Sequence, residues 1–344
     1  MEEQLNTLEE YTDEAPLIHK EKGDLAYWAS LSLIMGDVRV AAQVRLAHLA
    51  KTGRKSPDTA NFLKVAQTAE EFVDGRLATH ILPHPTWPWA SKVKGLGKEN
   101  YPKAIGLINA FGRFYDVGDP LIPPFVTRSP QPYLLLRQGE VVEKTGIWVE
   151  GIERLAVPSK LWKYAGLAVE NGQAARREAG KKISFNWELR MTLYRVAISL
   201  NRAGGIWYRG GDRDQGYSRG YLGHRAVIEN MLLVKGFKIV PTPKERMCLA
   251  CNKPVALKRA KYCPDCGGSL TLKTEPPGVI FQGHVHQRAI RLLMKDFSLC
   301  VWKVWREALG LPCPAPYDEA MLAHPKLDPY VMVDRETNAQ GGSK

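Results

Sequence analysis

The stretch "HQRAIRLLMKDFSLCVWKVWREALG" (286–310) sets the fold class of this chain. Ile290, Leu293, Phe297, Val301, Val304 and Trp305 recur at helical spacing along it, and Gly310 ends the run. A helix of that length with one apolar stripe needs other helices to cover it. A second stripe, Leu189, Leu193, Val196, Ala197 and Leu200, supplies one candidate. Further upstream, residues 24–52 carry Trp28, Leu31, Val38, Ala41, Val44 and Leu49 before Gly53, and Ser56 with Pro57 opens another helix bearing Phe62, Val65, Ala69, Phe72 and Val73. The expected fold is mainly α. It consists of a long, coiled-coil-like helical hairpin and a second helical domain that carries an inserted cysteine-bearing ribbon and a small β element.

The ribbon is read from "CLACNKPVALKRAKYCPDCGG", where Cys248, Cys251, Cys263 and Cys266 follow a C-x2-C-x11-C-x2-C spacing. Each C-x-x-C turn presents two thiolates, and two such turns close a tetrahedral shell with no open position for water. One structural Zn2+ is the expected cofactor. Cys300, inside the 286–310 pattern, reads as a small buried residue.

Charge points to the partner. The 344 residues carry a formal net charge of +12, but six acids and no base fall within residues 1–14. Residues 152–308 hold 28 Lys and Arg against 12 Asp and Glu, the footprint of a polyanion binder. In "LWKYAGLAVENGQAARREAGKK" (161–182) an aromatic-apolar run meets Arg176, Arg177, Lys181 and Lys182, with Lys160, Lys163, Arg190 and Arg195 on the neighbouring helical patterns. "NRAGGIWYRGGDRDQGYSRGYLGHR" (201–225) interleaves Arg202, Arg209, Arg213, Arg219 and Arg225 with Tyr217 and Tyr221 among seven glycines. Arg binds phosphate bidentately and aromatic rings stack on unpaired bases, so both stretches are expected to contact nucleic acid. His284, His286 and Arg288 open the last helix as cap or RNA-facing residues. In "SKVKGLGKENYPKAIGLINAFG" (91–112) the Gly95–Gly97 turn precedes a helix in the helix-hairpin-helix manner, its backbone N–H groups and Lys92, Lys94 and Lys98 facing DNA phosphates.

The expected organisation is an acidic tail (1–23), a hairpin for dimerisation (24–84), a helix-hairpin-helix-like segment (85–118) and a linker with short strands (119–157). An RNA-binding domain (158–320) with the ribbon inserted at 244–275 and a tail (321–344) complete it. No run of about 20 apolar residues suggests a membrane span, and the acidic start is unlike a signal peptide. A soluble, cytoplasmic protein is expected, prokaryotic or phage-encoded and nucleoid-associated when bound.

The run 158–196, "PSKLWKYAGLAVENGQAARREAGKKISFNWELRMTLYRV", joined to 283–317, "GHVHQRAIRLLMKDFSLCVWKVWREALGLPCPAPY", resembles the C-terminal part of the DEDD transposases of RNA-bridged insertion sequences. It also resembles Nop-domain proteins of box C/D ribonucleoproteins and the Tas proteins of tandem interspaced guide RNA arrays. The resemblance covers about residues 88–320. It implies a Nop-like second helical domain whose basic stretches, 161–182 and 201–225, hold a guide RNA, a homodimer joined through the long hairpin, and target double-stranded DNA read by base pairing. Two departures bear on chemistry. The chain opens without the strand carrying the transposases' first catalytic Asp, and no Ser lies between Ser159 and Ser184, where their nucleophile would be. An HNH arrangement is missing around His284 and His286. With no catalytic residue to name, the expected function is nuclease-free RNA-guided DNA binding. A transposase or nuclease descendant and a plain zinc-ribbon nucleic-acid binder without guide are the alternatives.

Overall fold

The computed structural model describes residues 24–137, 140–170, 173–176, 180–181, 183–203, 220–243, 245–256, 262–270, 275–321 and 326–333. The chain is mainly helical with a few small strands. It divides into two compact units, the first formed by residues up to Ile206 together with those from Met294 onward, the second by Trp207–Leu293.

The first unit begins with α1 (Asp24–Lys51) and α2 (Pro57–His80), an antiparallel hairpin. Ser56 caps α2 by accepting from the Thr59 N–H at 3.3 Å, and Pro57 takes the first turn, where a missing N–H costs nothing. Polar clasps fix the register: Arg39 pairs with Glu70, Ser32 donates to Asp74, and Arg45 Nε donates to Thr59 Oγ1 at 3.3 Å. After a short helix, α3 (Trp87–Ala90), comes α4 (Asn100–Asn109), in which every residue from Tyr101 to Ile108 is buried. Gly106 lets α1 approach closely, since a Cβ there would lie 2.5 Å from both the Leu25 carbonyl oxygen and the Ala29 Cβ. Lys103, on the same buried helix, meets Asp74 of α2 at 3.1 Å.

A three-stranded antiparallel sheet follows, β1 (Arg113–Asp116), β2 (Gln131–Arg137) and β3 (Glu140–Val149), in the order β1-β3-β2. The sequence suggests the β2–β3 hairpin. The third strand, β1, pairs Arg113 with Val149 and Tyr115 with Ile147. Two helical turns, α5 (Gly151–Arg154) and α6 (Pro158–Tyr164), lead to Gly166 at φ +66°. A Cβ at Gly166 would sit 2.4 Å from the Phe185 ring, so both the backbone conformation and the packing of the YAGL turn require glycine. Two-residue strands β4 (Val169–Glu170) and β5 (Gln173–Ala174) pair antiparallel.

Helix α7 (Trp187–Arg202) is capped by Asn186, whose Oδ1 accepts from the Leu189 N–H at 2.9 Å. It buries Leu189, Leu193, Val196, Ala197 and Leu200, the stripe expected from spacing. The C-terminal part of α9 (Gln282–Ala308) is enclosed more fully than a single stripe predicts, with every residue from Asp296 to Arg306 buried. Trp302 and Arg306 are among the largest fully buried side chains. Trp302 Nε1 donates to the Leu155 carbonyl at 2.6 Å, and Arg306 donates to the Ile152 carbonyl at 2.7 Å and the Pro312 carbonyl at 2.8 Å. Lys303, also buried, reaches Glu319 of α10 (Tyr317–Met321) at 3.1 Å and the Leu327 carbonyl at 2.8 Å. A 3-10 turn, Pro329–Met332, completes this edge, where Trp89 Nε1 donates to the Pro329 carbonyl at 3.0 Å.

The second unit holds α8 (Tyr221–Val234), β6 (Lys238–Val240), β7 (Arg246–Met247), β8 (Pro254–Val255), β9 (Val279–Phe281) and the start of α9. β6 and β9 pair in parallel, Ile239 opposite Ile280, so the chain leaves and re-enters at adjacent strands. The cysteine-bearing segment lies between those two strands, as an excursion clasped at its base.

Candidate nucleic-acid interface and metal centre

In the second unit the four cysteines converge, their sulfurs all within 4.8 Å of one another. Cys248 and Cys266 Sγ lie 3.4 Å apart and Cys251 and Cys263 3.8 Å apart, far beyond a disulfide bond. Tetrahedral thiolate coordination at about 2.3 Å per ligand needs sulfurs roughly 3.8 Å apart, so the four are placed to hold one metal ion.

Two knuckles of matching geometry build this cluster. In the first, the Asn252 N–H donates to the Cys248 carbonyl at 3.0 Å and the Cys248 N–H to the Lys253 carbonyl at 2.9 Å. In the second, Gly267 donates to Cys263 at 2.9 Å and Cys263 to Gly268 at 2.8 Å, the same offsets along the chain. Each knuckle turns through a left-handed residue just after its second cysteine, Asn252 at φ +55° and Gly267 at φ +69°. Asn tolerates that region better than other residues bearing a side chain, and it is the signal in "CLACN" that mirrors the glycine of "CPDCG". Gly268 has its own reason, for a Cβ would meet the Ala250 Cβ at 2.6 Å and the Cys248 sulfur at 3.1 Å. The Cys251 backbone N–H holds the Cys248 thiol down at about 6, toward the thiolate a metal needs.

His284 and His286 are engaged elsewhere. The Phe281 N–H donates to Glu275 at 2.8 Å, Glu275 lies 2.9 Å from His284 Nδ1, and Arg288 Nε donates to His284 Nε2 at 3.1 Å. This chain ties the end of β9 to the first turn of α9. His286 Nδ1 lies 2.7 Å from the Tyr221 hydroxyl, and burial, followed by the Arg225 charge, lowers its pKa. Tyr221 thus differs from its expectation as a base-stacking ring: it opens α8 and is buried there on His286. Arg225 pairs with Glu229 at 2.7 Å, one helical turn on. Arg209, Arg213, Tyr217 and Arg219 lie outside the described residues.

In the first unit the Gly95 turn sits on the C-terminal end of α7. Gly95 has φ +92°, its would-be Cβ lies 2.8 Å from the Ala203 Cβ, and its carbonyl accepts from Ser199 Oγ at 2.8 Å. Gly97 has open space around it. Lys92, Lys94 and Lys98 are exposed on this turn, and Arg195 and Arg202 are exposed on α7, one on either side of Ser199 in sequence. The structure therefore brings together a turn expected to face DNA and a helix expected to face RNA. Ser199 joins them, a residue nothing in the local pattern marks. No side chain caps the start of α4, next to Lys98 and Glu99, so its first N–H groups keep the partial positive charge that favours an anion.

The other expected RNA contacts divide by role. Lys160, Lys163, Arg176 and Lys181 are exposed, while Arg177 and Lys182 lie outside the described residues. Arg190 turns inward: its Nη1 donates to the Ala175 carbonyl at 2.8 Å, its guanidinium lies 5.3 Å from the Phe185 ring centre, and burial lowers its pKa. It braces the 173–176 segment against α7.

Among the described residues no helix is long and apolar enough to cross a membrane. Comparisons with family models, curated proteins and solved structures find no match to this chain.

Proposed function

We propose that this chain is a nuclease-free RNA-guided DNA-binding protein that holds a structured guide RNA on its basic surfaces and a structural Zn2+ in its cysteine ribbon. The observation that carries the reading is the seating of the Gly95 turn on α7. It sets the turn that bears the exposed Lys92, Lys94 and Lys98 against the helix that bears the exposed Arg195 and Arg202. Such a surface binds phosphates without reading bases, which leaves sequence choice to pairing between the RNA and its target. Zinc follows from the donor set, because four thiolates at this spacing select a soft tetrahedral ion and leave it no open position for chemistry.

Sequencing the RNA that copurifies with the protein tests the reading first. A discrete small RNA is expected, and heterogeneous fragments without a common sequence would sink it. Replacing Lys92, Lys94, Lys98 and Arg202 together with Ala should then weaken binding of that RNA paired with its target DNA. The dependence of log K on log salt should flatten by about 3, four phosphate contacts at roughly 0.7 to 0.9 each. An unchanged slope would move the interface elsewhere.

The same reading assigns the hairpin to a second copy of the chain. Tyr27 and Ile34 on α1 and Phe62, Val65 and Phe72 on α2 are exposed, an apolar display that a monomer leaves in water. Light scattering should give twice the chain mass. Changing Phe62, Val65 and Phe72 to Glu should halve it, and a monomeric parent protein would refute the assignment.

A further inference from the structure

A cavity of about 680 Å3 opens in the first unit beside α6, and the basic turn just described does not use it. Its walls include the rings of Phe111, Tyr115, Phe125 and Tyr164, and Lys160 and Lys163 lie on its lining one helical turn apart. Among the described residues no carboxylate lines it.

The rings are held in place before any ligand arrives. Arg154 lies 4.1 Å from the Phe111 ring centre, donates to the Phe111 carbonyl, and reaches the Tyr115 hydroxyl at 2.8 Å through Nε. Phe111 and Tyr164 rings are 4.4 Å apart. The Tyr164 hydroxyl donates to the Leu107 carbonyl at 3.1 Å and accepts from Asn186 at 2.8 Å, so the ring is fixed from both sides. Fixed aromatic walls with cations and, among the described residues, no acid suit a flat heterocycle carrying negative charge. The volume lies within the roughly 300 to 1,000 Å3 range of small-ligand sites.

We infer that this cavity takes one unstacked nucleotide of the bound RNA, its base against the rings and its phosphates against Lys160 and Lys163. The inference rests on the RNA-binding reading above. Single-stranded loops of a folded RNA offer unpaired bases, whereas duplex DNA keeps its bases stacked and paired. A base stacked on aromatic walls strengthens binding by about tenfold, a contribution that salt leaves nearly untouched.

The test uses the protein with its copurified RNA. Ultraviolet crosslinking followed by mass spectrometry should place a nucleotide adduct on Phe111, Tyr115 or Tyr164. Ser184 also lines the cavity and is exposed, so Ser184→Trp should fill the space without disturbing the core. This variant should lose the adduct and bind the RNA about tenfold more weakly with an unchanged salt slope, since stacking alone is removed. Replacing Lys160 and Lys163 with Ala should instead lower the slope by roughly 1.4 to 1.8, two phosphate contacts. Adducts confined to other segments, or a Ser184→Trp variant that binds RNA like the parent, would overturn the assignment and leave the wider RNA reading standing. Protein without any discrete RNA would remove both. If adenosine monophosphate binds the RNA-loaded protein and Ser184→Trp abolishes that binding, the cavity serves a free nucleotide and the inference fails.

Discussion

Chelation will unfold the cysteine ribbon of the second unit while amide protection in the helices of the first unit stays as it was. The ribbon's hydrophobic cluster consists of Cys248, Val255, Cys263 and Leu270, with Cys251 packed against it, so most of its apolar side chains are the cysteines placed to hold a metal. Among its described residues, regular strand hydrogen bonding is confined to the two-residue strands β7 and β8 and isolated bridges at Cys248 and Tyr262. So little buried surface cannot offset the entropy of ordering the segment. In small zinc domains the metal supplies about 10 to 16 kcal/mol of apparent binding energy, and that energy is what folds them. Hydrogen exchange read by mass spectrometry, with and without a strong chelator, should show residues 245–270 exchanging at once in the stripped protein. Cys263→Ser should reproduce that pattern, and elemental analysis should return one zinc per chain. Metal-free protein with a protected ribbon would end the idea.

Lys303→Met should cost about 3 to 5 kcal/mol, because it strands Glu319 as a buried charge without its cation. The two side chains are only 8% and 5% exposed, and Lys303 Nζ bonds both Glu319 oxygens at 3.1 Å. Glu319 in turn accepts from the Leu327 N–H at 2.9 Å, so one carboxylate ties α9, α10 and the 326–333 segment together. Calorimetry should show the first unit melting roughly 10 °C lower, at about 2 to 4 °C per kcal/mol for a unit of this size. The double change Lys303→Met, Glu319→Leu should regain much of the loss, since an apolar pair needs no charge partner. If the single and double variants melt together, the ion pair is not what holds this edge.

The stripes of α7 and α9 were legible because an amphipathic helix writes its buried face into the spacing of its apolar residues, whereas on the hairpin Val44, Phe62, Val65 and Phe72 keep that spacing and are exposed. Leu189 to Leu200 and Ile290 to Trp305 pack as that spacing indicates. The cysteine spacing was legible for a similar reason, since knuckle geometry admits few alternatives. What stayed hidden involves residues whose partners are distant in sequence. β1 is four residues long and pairs with a strand some thirty positions on, so nothing local distinguishes it from a loop. Lys303 and Arg306 are charged residues outside the apolar stripe of α9, yet they are buried on carbonyls and a carboxylate from α5, α10 and the C-terminal segment. In the candidate interface, charge located the cations but not their engagement. Arg190 and Arg225 carry the same charge as Arg195 and Arg202, and only the fold shows the first pair occupied internally.

Helix α4 constrains how this chain can diverge. From Tyr101 to Ile108 each side chain faces a neighbour, Gly106 has no room for a methyl group, and Lys103 is held by Asp74. Random replacement there meets a clash, a cavity or an unpaired charge at almost every position, whereas the outer faces of α1 and α2 accept change wherever a partner does not press on them. Over long drift the hairpin's outer residues should be rewritten while "YPKAIGLI" persists. That short word, with the Gly166 turn and the two knuckles, is the part of the sequence by which a remote cousin would be known.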